Sequence, residues 1–252
     1  MKKIKYLIFI FFLVFSFYFT DKVMIYIDSK NPIMQKITSV MNDYYISPVD
    51  AIIYNDTIIP GINGKEVNKQ ASLIKMEEFG AFNDTYLIYN KVKPNISLDD
   101  YKDKVIIRGN PSKRSIALIL EENSNLEEYL LNKNIKYSII ATLNTTLSQN
   151  KDYINGEKDQ NKASDLNSLL NKKKINKKIC LVNYSNIDFC KNKKYFIIKP
   201  SIELNNLTFN NINNGEIILI TQNTTLDSLN NLIIKANHLD LSFVSLSELI
   251  AE

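Results

Sequence analysis

The chain carries a single histidine, His238, so any mechanism that needs two imidazoles from this chain is excluded. It lies in Lys235–Asp240, past an amphipathic segment, where a surface or capping role is the plain reading. Glu121 and Glu122 are adjacent carboxylates directly after the apolar run Ile116–Leu120. As the first residues of a helix they would be favoured by its dipole. Cys180 and Cys190 stand ten residues apart. In an exported chain they could close a strand–helix unit by a disulfide; otherwise they are two buried thiols. Two cysteines are too few for a disulfide-framework miniprotein. Lys172–Lys174, Lys177 and Lys178, with Lys191, Lys193 and Lys194 nearby, form a basic run. Such a run is either a solvated face or, outside the cell, a contact for anionic wall polymer or phospholipid. A Gly-rich phosphate loop, a Cys-x-x-Cys pair and a Gly-x-Ser-x-Gly elbow are all missing, so nucleotide, redox and serine-hydrolase readings lack support.

These residues need elements to position them. The chain has 252 residues, room for one ordinary domain and a small extra piece. Hydrophobic residues at 45% and charged residues at 23% exclude wholesale disorder. The net charge is +4, but Lys2, Lys3 and Lys5 sit at the extreme N-terminus and the remaining body is near neutral. A large basic surface, and with it nucleic-acid binding, is thereby disfavoured.

Behind the three lysines, Tyr6–Phe19 runs fourteen residues without a charge. Asp21 and Lys22 interrupt it, and Val23–Ile27 resumes it. No small-x-small cleavage site and no lipid-acceptor cysteine follow. Residues 1–27 therefore read as an uncleaved signal anchor, with Asp21 and Lys22 snorkelling at the outer interface and the rest of the chain exported.

Residues 28–110 read as a small mixed α+β region. Asp50–Tyr54, Thr57–Ile59, Tyr86–Tyr89 and Lys104–Arg108 are candidate strands, and Glu66–Phe79 is a candidate helix closed by Gly80. From Ser115 the pattern changes to continuous apolar strands alternating with helices: Ile116–Leu120, Lys136–Ala141, Lys178–Val182, Lys194–Lys199 and Gly215–Ile220, with a last short strand Ser242–Val244. Residues 144–162 are polar and resist placement. Such strands imply a parallel sheet covered on both faces, open or closed as a barrel.

Ser115–Asn123, followed by Leu126–Ile140, resembles the first strand, helix and second strand of the polysaccharide deacetylases, carbohydrate esterase family 4. There the first strand ends in Thr-Phe-Asp-Asp-Gly. Gly215–Gln222 is similar to the family's Gly-x-Ile-Ile-Leu-x-His-Asp strand, Thr225–Ala236 to its last helix, and Phe243-Val-Ser-Leu-Ser-Glu-Leu249 to its closing Phe-Val-Thr-Leu-Ser-Glu-Leu segment. The likeness covers residues 112–252. It implies an α/β fold: a reduced, irregular (β/α) barrel of polysaccharide-deacetylase type, preceded by the small N-terminal region.

The resemblance also implies a chemistry, the hydrolysis of acetyl groups on a sugar. An Asp base activates a metal-bound water, a second Asp and a His-x-x-x-His pair hold the metal, and a late His is the acid. Glu121 takes the position of the base and Glu122 that of the metal Asp, each one methylene longer. Thr221 replaces the late His. The His-x-x-x-His segment would lie in residues 150–170, where Tyr153–Glu157 holds no imidazole. Cys180–Tyr184 falls near the family's Arg-Pro-Pro-Tyr motif without its Arg or Pro. The expectation is a membrane-anchored, extracytoplasmic pseudo-deacetylase with no cofactor, binding cell-envelope glycan or an envelope protein. Two alternatives stay open. One is an active deacetylase with a rebuilt oxygen-rich divalent-metal site drawing on Glu157, Asp159 and Asp165. The other is an envelope scaffold acting through residues 28–110.

Overall fold

The computed structural model describes residues 2–122, 124–149, 151–204 and 211–252. Asn123, which ends the family-like strand segment, and the side chain of Asp21, expected to snorkel, lie outside the described residues and side chains. In chain order the elements are α1 (Lys2–Lys30), α2 (Pro32–Val40), β1 (Ile52–Tyr54), β2 (Thr57–Ile59), β3 (Gly64–Val67), α3 (Lys69–Glu77), β4 (Tyr89–Val92), β5 (Val105–Ile106), β6 (Ser115–Leu120), α4 (Ser124–Asn132), β7 (Ser138–Ala141), β8 (Asp152–Asn155), α5 (Gln160–Lys172), β9 (Asn176–Leu181), α6 (Ile187–Asn192), β10 (Phe196–Ile198), β11 (Ile202–Leu204), β12 (Ile217–Ile220), α7 (Leu226–His238), β13 (Ser242–Val244) and α8 (Leu246–Ile250). They divide into two compact units, residues 1–48 with 63–92, and residues 49–62 with 93–252. The region 28–110 set apart by sequence is thus shared: 49–62 and 93–110 belong with the C-terminal unit.

The smaller unit begins with α1. Its stretch Phe9–Lys30 is long and apolar enough to cross a membrane, and none of it is buried within the chain. A helix of this kind serves as a membrane anchor or as a signal sequence. The Asn31 side chain accepts from the Ile33 N–H and Pro32 opens α2, a favoured start. Asn68 caps α3 in the same way. Ile37, Val67, Leu73, Met76 and Leu87 form the core between α2, α3 and the antiparallel pair β3–β4. The strand expected at Tyr86–Tyr89 is displaced to Tyr89–Val92, because the Asn83 side chain accepts from the Thr85 N–H and winds Asp84–Tyr86 into a 3-10 turn.

The larger unit is a curled, open half-barrel sheet in the order β1-β2-β5-β10-β9-β8-β7-β6-β12-β11. β13 pairs the first half of β6, and β7 the second half. Among the described strands every pairing in this sheet except β1–β2 is parallel. All six residues of β6 are buried. Ile116, Leu118 and Leu120 pack on one side with Leu130, Leu229 and Leu232 of α4 and α7. Ala117 and Ile119 pack on the other with Leu246, Leu249 and Ile250 of α8. A strand covered on both faces loses the alternation of a half-exposed one, which is why β6 and β12 read as unbroken apolar runs.

The curl is drawn together where two glycines meet. The Gly109 N–H donates to the Gly215 carbonyl at 2.7 Å, and the Gly215 N–H donates to Ser115 at 2.7 Å. Gly215 has φ +84°, and a Cβ there would stand 2.4 Å from the Gly109 oxygen. The Cys180 and Cys190 sulfurs are bonded, tying β9 to α6 in a buried cluster with Phe189, Tyr195 and Ile197.

Candidate functional site

β6 and β12 lie in register, Leu120 beside Ile220, so the residues that follow them emerge side by side at the carboxyl edge of the sheet. Ligands of parallel α/β sheets bind at that edge. The Glu121 N–H still donates to the Ile220 carbonyl at 3.0 Å, which extends the ladder one residue and fixes the Glu121 backbone. Its carboxylate accepts the Gln222 N–H at 2.8 Å. Tyr184, in the loop after β9, stands near enough for its phenol to feel that carboxylate. That loop reverses tightly: the Tyr184 and Ser185 N–H groups both return to the Leu181 carbonyl, and Asn183 takes φ +72°. The Ser185 hydroxyl accepts from the Leu181 N–H and donates to the Asn155 carbonyl, locking the loop to β8.

Burial raises the Tyr184 phenol above its ordinary range, and the Glu121 carboxylate raises it further, with Glu203 adding to the effect. Glu203, on β11, is exposed. The cluster is therefore one phenol held protonated among carboxylates.

The other expected residues separate. Thr221 donates its hydroxyl to the Leu204 carbonyl at 3.3 Å, and its N–H donates to Thr224 Oγ1 at 3.1 Å. It is a turn residue with no acid to offer. Glu122 is exposed and, among the described residues, accepts a long hydrogen bond, 3.4 Å, from the Thr145 hydroxyl. Glu157 accepts from the Leu143 N–H at 2.8 Å, Asp159 caps α5 through the N–H groups of Asn161 and Lys162, and Asp165 is exposed on α5. His238 closes α7, which starts just after Thr221; thirteen helical residues carry it about 20 Å away, to the opposite end of the strands.

The metal that the resemblance implies does not fit these donors. Among the described residues no three His, Cys, Asp or Glu side chains converge on one point. The imidazoles are absent in the sequence, and Glu121 and Glu157 are each committed to backbone N–H groups. Among the described residues Glu157, Asp159 and Asp165 do not regroup into the oxygen-rich set considered from sequence. Tyr184 is what the sequence reading missed as a partner. It sits where the family motif would end, and only the turn signal Asn183–Asn186 hints that it folds back over the strand ends.

No protein-family model matches the chain. In solved structures the same architecture recurs in BA3943 of Bacillus anthracis, described as a CE4 family pseudoenzyme. The alignment covers 88% of this chain and 96% of that one, at 16% identity and a TM-score of 0.55. The fold is that of carbohydrate esterase family 4. A mutant of BA3943 described as having restored enzymatic activity aligns with the same TM-score at 17% identity, over 88% of this chain and 99% of that one. Among curated proteins, the uncharacterized protein YlxY of Bacillus subtilis (strain 168) is 33% identical over 108 residues, 40% of this chain. The match spans about a third of that relative's length. On this fold Glu121 and Thr221 stand at neighbouring strand ends, with the Tyr184 phenol near the Glu121 carboxylate.

Proposed function

We propose that this chain is a membrane-anchored, extracytoplasmic pseudo-deacetylase that binds cell-envelope glycan at the carboxyl edge of its curled sheet. The observation that carries this reading is the state of Glu121. At the position of the family's base, its carboxylate is occupied by the Gln222 N–H with the Tyr184 phenol nearby, and Thr221 supplies no acid beside it. Such a site holds hydroxyl-rich ligands through hydrogen bonds and lacks the parts for acetyl hydrolysis. The apolar helix α1 and the bridged Cys180–Cys190 pair both suit an anchored chain in an oxidising compartment. Residues 1–27 supply the anchor and residues 112–252 the deacetylase-like part.

The test is metal analysis of the purified full chain, with acetate release from N-acetylated aminosugar oligomers and binding of the same oligomers. No stoichiometric metal, no acetate and measurable binding that weakens in Glu121→Ala are expected. Acetate release or a tightly held metal would overturn inactivity, and absence of binding would overturn the glycan.

One observation favours an envelope protein as partner instead. Phe79 is 57% exposed and stacks on Tyr86 at 4.4 Å, an aromatic pair on the surface of the smaller unit. If Phe79→Ala with Tyr86→Ala abolishes co-purification of an envelope protein while glycan binding persists, the scaffold reading replaces the first.

A further inference from the structure

Eight lysines gather at one edge of the larger unit, and the strand-end site uses none of them. α5 ends at Lys172, with Lys173 as its C-cap and Lys174 next. α6 has Lys191 in its last turn, Lys193 as its C-cap and Lys194 next. Each helix runs back to the start of the strand that follows it, so both ends stand at the amino edge of β9 and β10. Phe196 pairs with Ile179, so Lys194 and Lys178 each lie just before the paired residues of β10 and β9. The β8–β9 pairing shifts between Tyr153 and Asn155, which face Asn176 and Cys180; the extra residues form a bulge that contains Lys177 and Lys178.

All eight side chains are exposed. Lys177 pairs with Asp152 at 3.3 Å, and Lys173 Nζ reaches the Leu147 carbonyl at 3.2 Å. Among the described residues Lys172, Lys174, Lys178, Lys191, Lys193 and Lys194 make no ion pair. Helix dipoles favour lysine at the ends of α5 and α6, but they do not account for the bulge. Lys174, Lys178 and Lys194 also take φ of 59°, 57° and 54°, where glycine or asparagine is the unstrained choice. Charge is held there against backbone preference. Glu121, Glu122 and Glu203 lie at the other edge, so the unit is polarised along its strands.

We propose that this lysine edge rests on anionic phospholipid headgroups of the membrane that α1 enters, which turns the strand-end site away from the bilayer. The inference rests on the anchor reading above. A basic cluster beside a bilayer is drawn to acidic headgroups within a Debye length of about 8 Å. A soluble anionic polymer offers the same charges, but the tether keeps the bilayer always within reach.

The experiment is amine acetylation of the full chain in lipid nanodiscs, read residue by residue by mass spectrometry. One set of discs is phosphatidylcholine and the other also contains phosphatidylglycerol. The six unpaired lysines label about fivefold more slowly in the anionic discs, and molar salt removes the difference. Lys158 and Lys199, at the opposite edge, label equally in both. Lys172→Glu with Lys191→Glu and Lys193→Glu abolishes protection of the other three, with the Cys180–Cys190 bridge as a check of folding. Equal labelling of the wild-type chain in both discs overturns the proposal. So does protection by soluble polyphosphate in neutral discs that matches the anionic discs, which would assign the edge to a polymer. Extraction of the chain from both discs by carbonate defeats the anchor reading itself, a result distinct from equal labelling of an inserted chain.

Discussion

Tyr184 gives the strand-end site its character. Its phenol is raised above the usual tyrosine range by burial and by Glu121, and Tyr137 is raised by burial and by its hydrogen bond to Glu127. A raised folded-state value means that the folded chain holds these protons more tightly than the unfolded one. The stabilisation is complete below the unfolded tyrosine value, about 10, and is lost as pH climbs beyond it. The urea midpoint should therefore hold level up to that pH and fall above it, with a shallower fall in Tyr184→Phe and Tyr137→Phe. A wild-type midpoint indifferent to alkaline pH would remove this account of both residues. Nor should the family's residues at these three positions confer acetyl hydrolysis, even combined. Glu121→Asp, Glu122→Asp and Thr221→His together still leave residues 150–170 without imidazole, and the histidine severs the Thr221–Leu204 bond. No acetate release is expected; release would mean that donors outside the inherited positions hold a metal. The placement of Glu121 and Thr221 was legible because each follows an unbroken apolar strand. Tyr184 was legible only as a position, because the carboxylate it faces follows a strand far away in sequence and proximity across strand ends leaves no local pattern.

Among the elements, legibility followed burial. β6 and β12, apolar on both faces, were plain in the sequence. β8 was lost in the polar stretch 144–162: it has only Tyr153 and Ile154 as large apolar residues, and it buries Asn155 by giving its amide to the Ala163 carbonyl at 2.8 Å. β11, a strand of three residues that follows Pro200 and Ser201, was too short for any period to show. The sequence left the cysteines open between bridge and thiols, since spacing alone does not bring a strand and helix together. With the bridge in place, Cys180→Ser with Cys190→Ser should cost about 3 kcal/mol, the entropy of a short closed loop plus two buried hydroxyls. Urea unfolding of the oxidised and mutant chains measures it, and equal stability would show that the bridge does not form in the folded protein. Gly215→Ala tests the closure of the curl. A methyl group against the Gly109 carbonyl, at a positive φ, should destabilise by about 2–4 kcal/mol. Gly80→Ala, also at positive φ but in open space, should cost about 1 kcal/mol.

For the whole molecule, the boundary that matters is not the one where composition changes. The sequence resemblance is confined to residues 112–252, yet β1, β2 and β5 precede them and complete one end of the sheet. Ile106 and Ile58 are wholly buried in the same cluster as Ile198 and Leu219. Glu252 reinforces the dependence: its carboxylate accepts from the N–H groups of Gly61 and Leu98, so the last residue is held by segments on both sides of the excursion 63–92. The excursion itself leaves and returns at neighbouring points. Val49 pairs with Ile62, and the Ala51 N–H donates to the Ile96 carbonyl at 2.8 Å, so both ends flank one short segment. A chain of residues 49–252 in which a short Gly-Ser linker replaces 63–92 should therefore fold, form the Cys180–Cys190 bridge and unfold in one cooperative transition. Residues 112–252 alone should not, because β10 would expose the edge that β5 covers and the buried isoleucines would lose their partners. Calorimetry of the two chains decides between these boundaries. Cooperative melting of the shorter chain would return the unit to the limits of its family likeness, while failure of the linker chain would mean that residues 63–92 are needed for the sheet to fold.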